Sequence, residues 1–254
     1  MKIYKAKNKN KKRVWGLFAL QVVFGTLPAI LLVVFVMSVL PIKENTGGEN
    51  SGVYIAAYIS AAAIILCGFA YTILGRKYNI LISGLRGEKA LYKIAKKHKN
   101  AYRIFLNLPI RYNRNRSELD MLMVGEKGVL IVEVKNHSGT ISGGDKDERW
   151  TQFKHYKDGR STEGEMKNPL KQLSRQREIL KSILRAAGVD VWVDGVVFFS
   201  NPFVRLKLNL SANGSYVAAG ESELNEFIAG YESPRPLDRE KMDKITQILK
   251  GLLE

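Results

Sequence analysis

The sequence predicts a membrane protein in which two N-terminal spanning helices precede an α/β domain. Residues 14–40 and 53–74 contain no charged side chain, and each run exceeds the roughly 20 residues that a helix needs to cross the hydrocarbon core. The roughly 180 residues that follow alternate amphipathic helical stretches with short apolar strands, which is the pattern of a single α/β domain with its own core.

The two apolar runs are best explained as membrane helices. Only a short stretch rich in turn-forming residues separates them, which favours two crossings over two buried core helices. A cleaved signal peptide is disfavoured because its apolar region would be much shorter, about 7–15 residues. Pro28 predicts a kink in the first helix. Cys67 is the only cysteine and lies in the second run, so no intrachain disulfide can form.

Positive charge flanks the two runs on one side. Seven basic residues and no acid precede the first run, and Arg76 and Lys77 follow the second. The connecting loop instead holds one lysine and two acids, Lys43, Glu44 and Glu49. The positive-inside rule therefore predicts a multi-pass protein of the cell membrane whose N-terminus and C-terminal domain are both cytoplasmic.

These features divide the chain into a disordered basic N-terminus at 1–13, a spanning hairpin at 14–77 and a cytoplasmic domain at 78–254. From Arg76 onward there are 32 basic and 22 acidic residues, a net charge of about +10. Such a surplus suits a polyanionic partner, either nucleic acid or an anionic lipid surface, and it also suits plain solubility.

The first half of the domain predicts a helix followed by three strands. Apolar positions recur at helical spacing in 85–97, and 101–108 is strand-like. An arginine-rich polar loop is expected at 111–116. Two apolar runs around a glycine-bounded turn at 125–128 then predict a β-hairpin. Its second strand, 129–135, is apolar on both faces as far as Glu133, so we expect a buried central strand.

The second half predicts a helix between further strands. A turn-rich region at 136–168, with short strand candidates at 140–141 and 149–151, is expected to edge the sheet. Asn168-Pro169 is typical of a helix start, with asparagine as N-cap and proline in the first turn, and Gly188 ends that helix. The remaining predicted elements are strands at 191–199, 204–210 and 216–218 and helices at 222–229 and 238–253.

Three charged residues are expected to converge at the hairpin. Asp120 lies on its first strand, and strand alternation places Glu133 and Lys135 on one face of the second. Paired carboxylates repel each other unless a cation joins them, Mg²⁺ takes oxygen ligands, and a lysine can stabilise charge on a phosphoryl transition state. This arrangement suits phosphodiester hydrolysis. The plainer alternative is a surface-turn aspartate beside a Glu133–Lys135 ion pair.

Several short motifs occur in a family-specific order. They are Gly87-Glu88, Leu119-Asp120, the strand from Gly128 to Asn136 with its Glu133-Val134-Lys135-Asn136 ending, Trp150, and Asn168-Pro169-Leu170-Lys171-Gln172. Over residues 84–199 the sequence thereby resembles the nuclease-related domain, NERD, a branch of the PD-(D/E)xK nuclease superfamily. Leu119 replaces the proline that usually precedes the first aspartate.

The resemblance implies a restriction-endonuclease-like central mixed sheet flanked by helices, and it implies roles for six residues. Asp120 and Glu133 would bind Mg²⁺ or Mn²⁺, the Val134 carbonyl would add a ligand, and Lys135 would be the catalytic lysine. Glu88 resembles the helix-borne acid of such a site, and Gln172 the glutamine that steadies it. Glu88 can also simply favour a helix N-terminus, and Gln172 can simply pack beside its helix start.

Five basic residues are candidates for nucleic-acid binding, although ordinary solvated faces look the same. They are Arg111, Arg114, Arg116, Lys171 and Arg175. The expected function is a membrane-anchored metal-dependent nuclease acting on DNA or RNA. One alternative is a catalytically weak nucleic-acid-binding or scaffolding protein at the membrane. The other is a membrane-surface adaptor that binds lipid without a metal.

Overall fold

The computed structural model describes residues 2–6, 10–39, 51–156, 158–211 and 216–253. The chain divides into two compact units, Lys9–Leu85 on the one hand and Arg86–Glu254 with Met1–Asn8 on the other. The loop residues on which the predicted orientation partly depends, Lys43, Glu44 and Glu49, lie outside the described residues.

Two long apolar helices, α1 (Asn10–Val39) and α2 (Ser51–His98), precede the domain. Their segments Lys12–Met37 and Ile55–His98 contain 18-residue stretches with mean hydropathies of 2.4 and 2.0, and both helices are long and apolar enough to cross a membrane. Pro28 lies inside α1. At 1.5 Å per residue α2 is about 72 Å long, more than twice the hydrocarbon thickness. The helix predicted separately at 85–97 is therefore the end of α2.

Within its described residues, the domain contains two sheets and three further helices. Its strands are β1 (Ile3–Lys5), β2 (Arg103–Tyr112), β3 (Asn115–Gly125), β4 (Gly128–Lys135), β5 (Gly139–Gly144), β6 (Arg149–His155), β7 (Ser161–Lys167), β8 (Val193–Phe199), β9 (Val204–Asn209) and β10 (Tyr216–Ala219). Its helices are α3 (Pro169–Ala186), α4 (Gly220–Gly230) and α5 (Arg239–Gly251). A six-stranded mixed sheet has the order β1-β2-β3-β4-β8-β10, and a second sheet has the order β7-β6-β5-β9. The predicted class, a mixed sheet flanked by helices after two apolar helices, is confirmed.

The six-stranded sheet has a packed layer on each face. Along β4 the buried residues Val129 and Ile131 face α3, α5 and the second sheet. Leu130 and Val132 face the end of α2 and α4. All four are fully buried, so β4 is the central strand that its unbroken apolar sequence predicts.

The N-terminus contributes a strand, although the sequence predicts disorder at 1–13. Ile3–Lys5 pairs in parallel with β2, and the ring of Tyr4 stacks on Phe105 at 4.8 Å between centroids. The ammonium of Lys250 lies 5.0 Å from the Tyr4 ring centroid. The lysine-rich composition concealed the two residues that bind to the sheet, Ile3 and Tyr4. Residues 7–9 lie outside the described residues, and α1 begins at Asn10.

The structure corrects two predictions about segments between the main elements. The segment 111–116 is not a loop but the end of the β2–β3 hairpin, where Arg111 pairs with Arg116 around a turn at Asn113. The region 136–168 does not edge the main sheet, because it forms β5, β6 and β7 of the second sheet. The strand candidates at 140–141 and 149–151 are confirmed, since they lie in β5 and β6. That sheet is completed by the parallel pairing of β5 with the distant β9, which no local pattern reveals.

Replacing Tyr4 by alanine should loosen the edge of the central sheet. The side chain packs on Phe105, and the neighbouring backbone closes bonds from Ile104 N to the Lys2 carbonyl (3.4 Å) and from Ala6 N to the Leu106 carbonyl (3.1 Å). We expect a loss of roughly 1–3 kcal/mol in unfolding free energy and faster hydrogen exchange at the Ile104 amide. Tyr156→Ala, at an exposed tyrosine, is the control. Unchanged exchange at Ile104 would show that β1 is not part of the sheet in solution.

Candidate active site

The site lies where β3 and β4 separate. The two strands are paired from their turn as far as Met121 and Val132. Beyond that point β3 remains paired with β2, whereas β4 remains paired with β8 as far as Lys135 and Phe199. A fork therefore opens in the middle of the sheet, and the backbone groups of β4 that face it need other partners.

A local distortion places Asp120 at this fork. Opposite it on β2, Asn107 has a left-handed φ of 55°, a conformation that asparagine tolerates better than most residues. The alternation of side chains between the two faces of the sheet is also broken at this point of β3. Leu119 and Met121, two residues apart, face opposite sides of the sheet. A regular strand would place them on one side. The irregularity is centred on Asp120, whose side chain reaches β4.

The Asp120 side chain provides β4 with the hydrogen-bond acceptor that a paired strand would have supplied. Its Oδ2 accepts a hydrogen bond from the Val134 backbone nitrogen at 2.9 Å. Burial and then repulsion from Glu133 raise the pKa of Asp120 well above its ordinary value of 3.8, although the Val134 N–H and Lys135 act in the opposite direction. The negative charge of Asp120 therefore has too few stabilising partners for its burial, and we call it under-compensated. A bound cation would stabilise it.

Glu133 is fully buried but is compensated by three donors. Its Oε1 accepts from Lys135 Nζ and from Gln172 Nε2, both at 2.7 Å, and its Oε2 accepts from Gln176 Nε2 at 2.8 Å. Lys135 Nζ also donates to Gln172 Oε1 at 3.0 Å. Lysine, carboxylate and amide thus form a closed triangle, in which Glu133 and Lys135 share one face of β4, as strand alternation predicts.

Helix α3 supplies the two glutamine side-chain amides that bind Glu133. Asn168 caps its N-terminus by accepting from Leu170 N at 2.9 Å, as predicted. Gln172 and Gln176 are four residues apart and so share a face. Gln176 was not predicted. It also donates to the Glu118 carbonyl at 3.0 Å, and its buried Oε1 has no donor among the described residues. The available signal was a glutamine on the apolar face of this helix.

Two further acids lie beside this group. Burial and then the charges of Glu88 and Glu133 raise the pKa of Glu118, a residue that sequence reasoning missed. Within the described residues, however, no group of three or more acidic, histidine or cysteine side chains could hold a metal ion together. The structure does not gather Glu88, Asp120 and Glu133 as three ligands, so the ligand role of Glu88 stays a prediction.

The oxygen atoms that remain as possible ligands fit a magnesium-like ion that keeps part of its water shell. Asp120 and Glu133 offer carboxylate oxygens, and the Val134 carbonyl points to the same side of β4 as the N–H that meets Asp120. Mg²⁺ in proteins typically takes one or two carboxylates together with water and phosphate oxygens. The buried acceptor on Gln176 also suits a cation or its water.

The five predicted basic residues are divided between two places. Arg114 lies at the exposed tip of the β2–β3 hairpin, about 20 Å of strand from Asp120. Arg111 lies opposite Arg116, about 13 Å of strand from the level of Asp120. Lys171 and Arg175 lie on α3, next to Gln172, and Arg175 donates to the Arg116 carbonyl at 3.4 Å. Only the α3 pair and the backbone of Arg116 are thus brought near the triangle.

Comparison with known proteins confirms the resemblance. Residues 83–200 match the family model described as the nuclease-related domain, NERD. An uncharacterized protein of Bacillus anthracis is 33% identical over 72 residues, which cover 27% of this chain and 34% of that protein. Protein VC1899 of Vibrio cholerae aligns with 97% of this chain and 57% of its own, at 12% identity and a TM-score of 0.29, which is too low to support an argument. The chain matches about a third and just over half of these two proteins' lengths.

Neutralising Asp120 and neutralising Glu133 should have opposite effects on the free energy of unfolding. Asp120→Asn keeps an acceptor for the Val134 N–H and removes an under-compensated charge, so metal-free stability at neutral pH should rise. Glu133→Gln puts an NH₂ group among three donors and leaves Lys135 without its counter-ion, which should cost about 2–4 kcal/mol. Thermal and denaturant unfolding measure both changes.

The advantage of Asp120→Asn should depend on pH. Because folding raises the pKa of Asp120, its contribution to stability is present below its ordinary value of 3.8 and is lost as pH rises through the raised pKa. The variant should therefore match the parent near pH 4 and exceed it near pH 7. Glu126→Gln, at the exposed hairpin turn, is the control. A pH-independent difference, or a stabilising Glu133→Gln, would contradict this electrostatic description.

Proposed function

We propose that the domain hydrolyses phosphodiester bonds of DNA or RNA with a bound Mg²⁺ or Mn²⁺ ion, and that α1 and α2 anchor it in a membrane. The match of residues 83–200 suggests a nuclease-like function. The observation that carries the finer proposal is the triangle of Lys135, Glu133 and Gln172 beside an under-compensated Asp120.

The ion would be held by Asp120, Glu133 and the Val134 carbonyl. When bound, such a cation polarises phosphoryl oxygens and lowers the pKa of a coordinated water. The protein's part is to keep these donors in place. β4 and its pairing with β8 position Glu133, and the Val134 N–H holds the Asp120 carboxylate.

Lys135 is positioned to act on the phosphate. An ammonium group has three donors, and two are directed at Glu133 and Gln172, so the third can meet a phosphate oxygen or a water. Its side chain retains 19% exposure, which leaves it accessible. Hydrolysis adds water across the P–O bond, and a fixed cation stabilises the negative charge that grows on the phosphoryl oxygens. Gln172 keeps the lysine from turning away.

The membrane attachment has support from the fold. Both ends of the α1–α2 pair lead into the same compact unit, since Met1–Asn8 belongs with Arg86–Glu254. Two crossings would return the chain to the side from which it started, as the basic flanks also predict. We therefore place the N-terminus and the domain on the cytoplasmic side.

A nucleic-acid-binding or scaffolding protein is the second candidate, and the basic surface alone would support it. The acidic side chains beside the triangle argue for the enzyme. A protein that only binds phosphates does not benefit from Asp120, Glu118 and Glu133 beside its binding surface, because they repel a polyanion. A membrane-surface adaptor would need neither these acids nor a metal.

Lys135→Ala should abolish turnover while sparing metal binding. We expect at least about a 100-fold loss in single-turnover cleavage, because the lysine stabilises the transition state more than the bound substrate. The measurement is Mg²⁺- or Mn²⁺-dependent cleavage of single- and double-stranded DNA and RNA by the detergent-purified full chain. Lys127→Ala, at the opposite end of the same strand pair, should cleave normally.

The same assay separates the candidates. Asp120→Asn should lose metal response and cleavage together, and a triple variant at Asp120, Glu133 and Lys135 should be scarcely worse than the worst single variant. If the parent cleaves no nucleic acid with either metal, the binding or scaffolding function takes the place of the enzyme.

Membrane topology can be tested by cysteine labelling in intact cells. In a Cys67→Ser background, Asn45→Cys in the predicted external loop should react with a membrane-impermeant maleimide. Thr162→Cys on β7 of the domain should react only after the cells are opened. Both residues are single sites in otherwise identical chains, so each controls for the other. The reverse pattern would contradict the cytoplasmic placement.

A further inference from the structure

A basic cleft lies beside the triangle. It has a volume of about 620 Å³, and Gln172 forms part of its wall. Its cations come from three elements: Arg149 begins β6, Lys167 ends β7, and Lys171 and Arg175 occupy the first two turns of α3. We call this surface the basic cleft.

The cations of the basic cleft repel one another, which destabilises the fold. Arg149 and Lys167 are direct partners across the β6–β7 pair, where like charges destabilise a sheet. Lys171 and Arg175 are four residues apart on a helix, where like charges also repel. Two independent like-charged pairs thus face one cavity, and an anion bound there would relieve both.

Internal acids compensate the cleft only in part. Arg149 pairs with Glu165 at 3.3 Å, but both side chains are more than half exposed. Lys171 pairs with Glu148, whose side chain is 86% exposed. Exposed pairs of this kind contribute little and exchange readily for a better ligand. A phosphate can therefore replace Glu148 and Glu165 as the partner of these cations.

Helix α3 connects the cleft to Glu133 and to the neighbouring acids. Gln172, in the cleft wall, bonds directly to Lys135 and Glu133. Gln176, one turn further along α3, contacts the Glu118 backbone. Burial and then the charges of Glu88 and Glu133 raise the pKa of the Glu118 carboxyl. A phosphate chain beside Lys135 is attracted by the cations of the cleft and repelled by these carboxylates.

We propose that the basic cleft is a phosphate-binding subsite that holds the sugar–phosphate backbone of the substrate strand on one side of the bond to be cleaved. The proposal rests on the proposed function and adds the place where the substrate strand is held. Cations that contact phosphates position a strand without selecting its bases, so the subsite is sequence-independent. It needs no metal to bind.

The test is metal-free binding by the full chain in detergent, with EDTA present. Fluorescence anisotropy with labelled 20-nucleotide DNA and RNA strands is recorded across a series of salt concentrations. Two double variants, Arg149→Gln/Lys167→Gln and Lys171→Gln/Arg175→Gln, should each weaken binding at least about tenfold at low salt and lower the salt slope by about two. The matched control is Lys241→Gln/Lys244→Gln, which removes two exposed cations from α5 and should change affinity less than about twofold.

A variant that binds more tightly excludes misfolding as the explanation for weaker binding by the double variants. Glu148→Gln removes the internal competitor of Lys171 and should tighten binding by about two- to threefold, an effect that a damaged fold cannot produce. Unchanged affinity in both double variants, or weaker binding by Glu148→Gln, would overturn the subsite. If these variants behave as expected but the parent cleaves nothing with Mg²⁺ or Mn²⁺, the subsite stands and the proposed hydrolysis fails.

Discussion

The separation of β3 from β4 after Met121 and Val132 is the constraint on which the rest of the site depends. β4 is committed to β8 and β3 to β2, so their shared ladder ends inside the sheet. The backbone N–H of Val134 is left without a strand partner and is satisfied by the Asp120 side chain. An aspartate is thereby held at the centre of the domain by a requirement of the backbone itself, which is a firmer support than a surface loop provides.

The same fork creates an imbalance between two carboxylates. Glu133 receives a lysine and two glutamine amides, whereas Asp120 receives one backbone donor and the repulsion of Glu133. The protein therefore stabilises one charge fully and leaves the other dependent on pH or on a cation. Compensated and under-compensated charges side by side are typical of functional sites, since each is costly to a fold that does not use them.

Local patterns predicted the parts of this structure that depend on neighbours in sequence. The buried β4 strand, the Asn168 cap, and Lys135 on the face of Glu133 follow from periodicity of two and from helix-start chemistry. Gln176 was missed because its partner is 43 residues away in the chain, and β1 because its pairing partner lies beyond α1 and α2. The second sheet was missed because β5 is joined to β9 by a long-range parallel pairing, which leaves no period in the sequence.

The most direct test of the central claim is manganese binding by the full chain in detergent, followed by the loss of the free-ion electron paramagnetic resonance signal. The parent should bind Mn²⁺ at a site from which Mg²⁺ displaces it. Asp120→Asn should lose that binding, and Lys135→Ala should keep or tighten it, because removing a neighbouring cation favours another. Binding that is equal in the parent and in Asp120→Asn would contradict the claim that the fork holds the metal through Asp120.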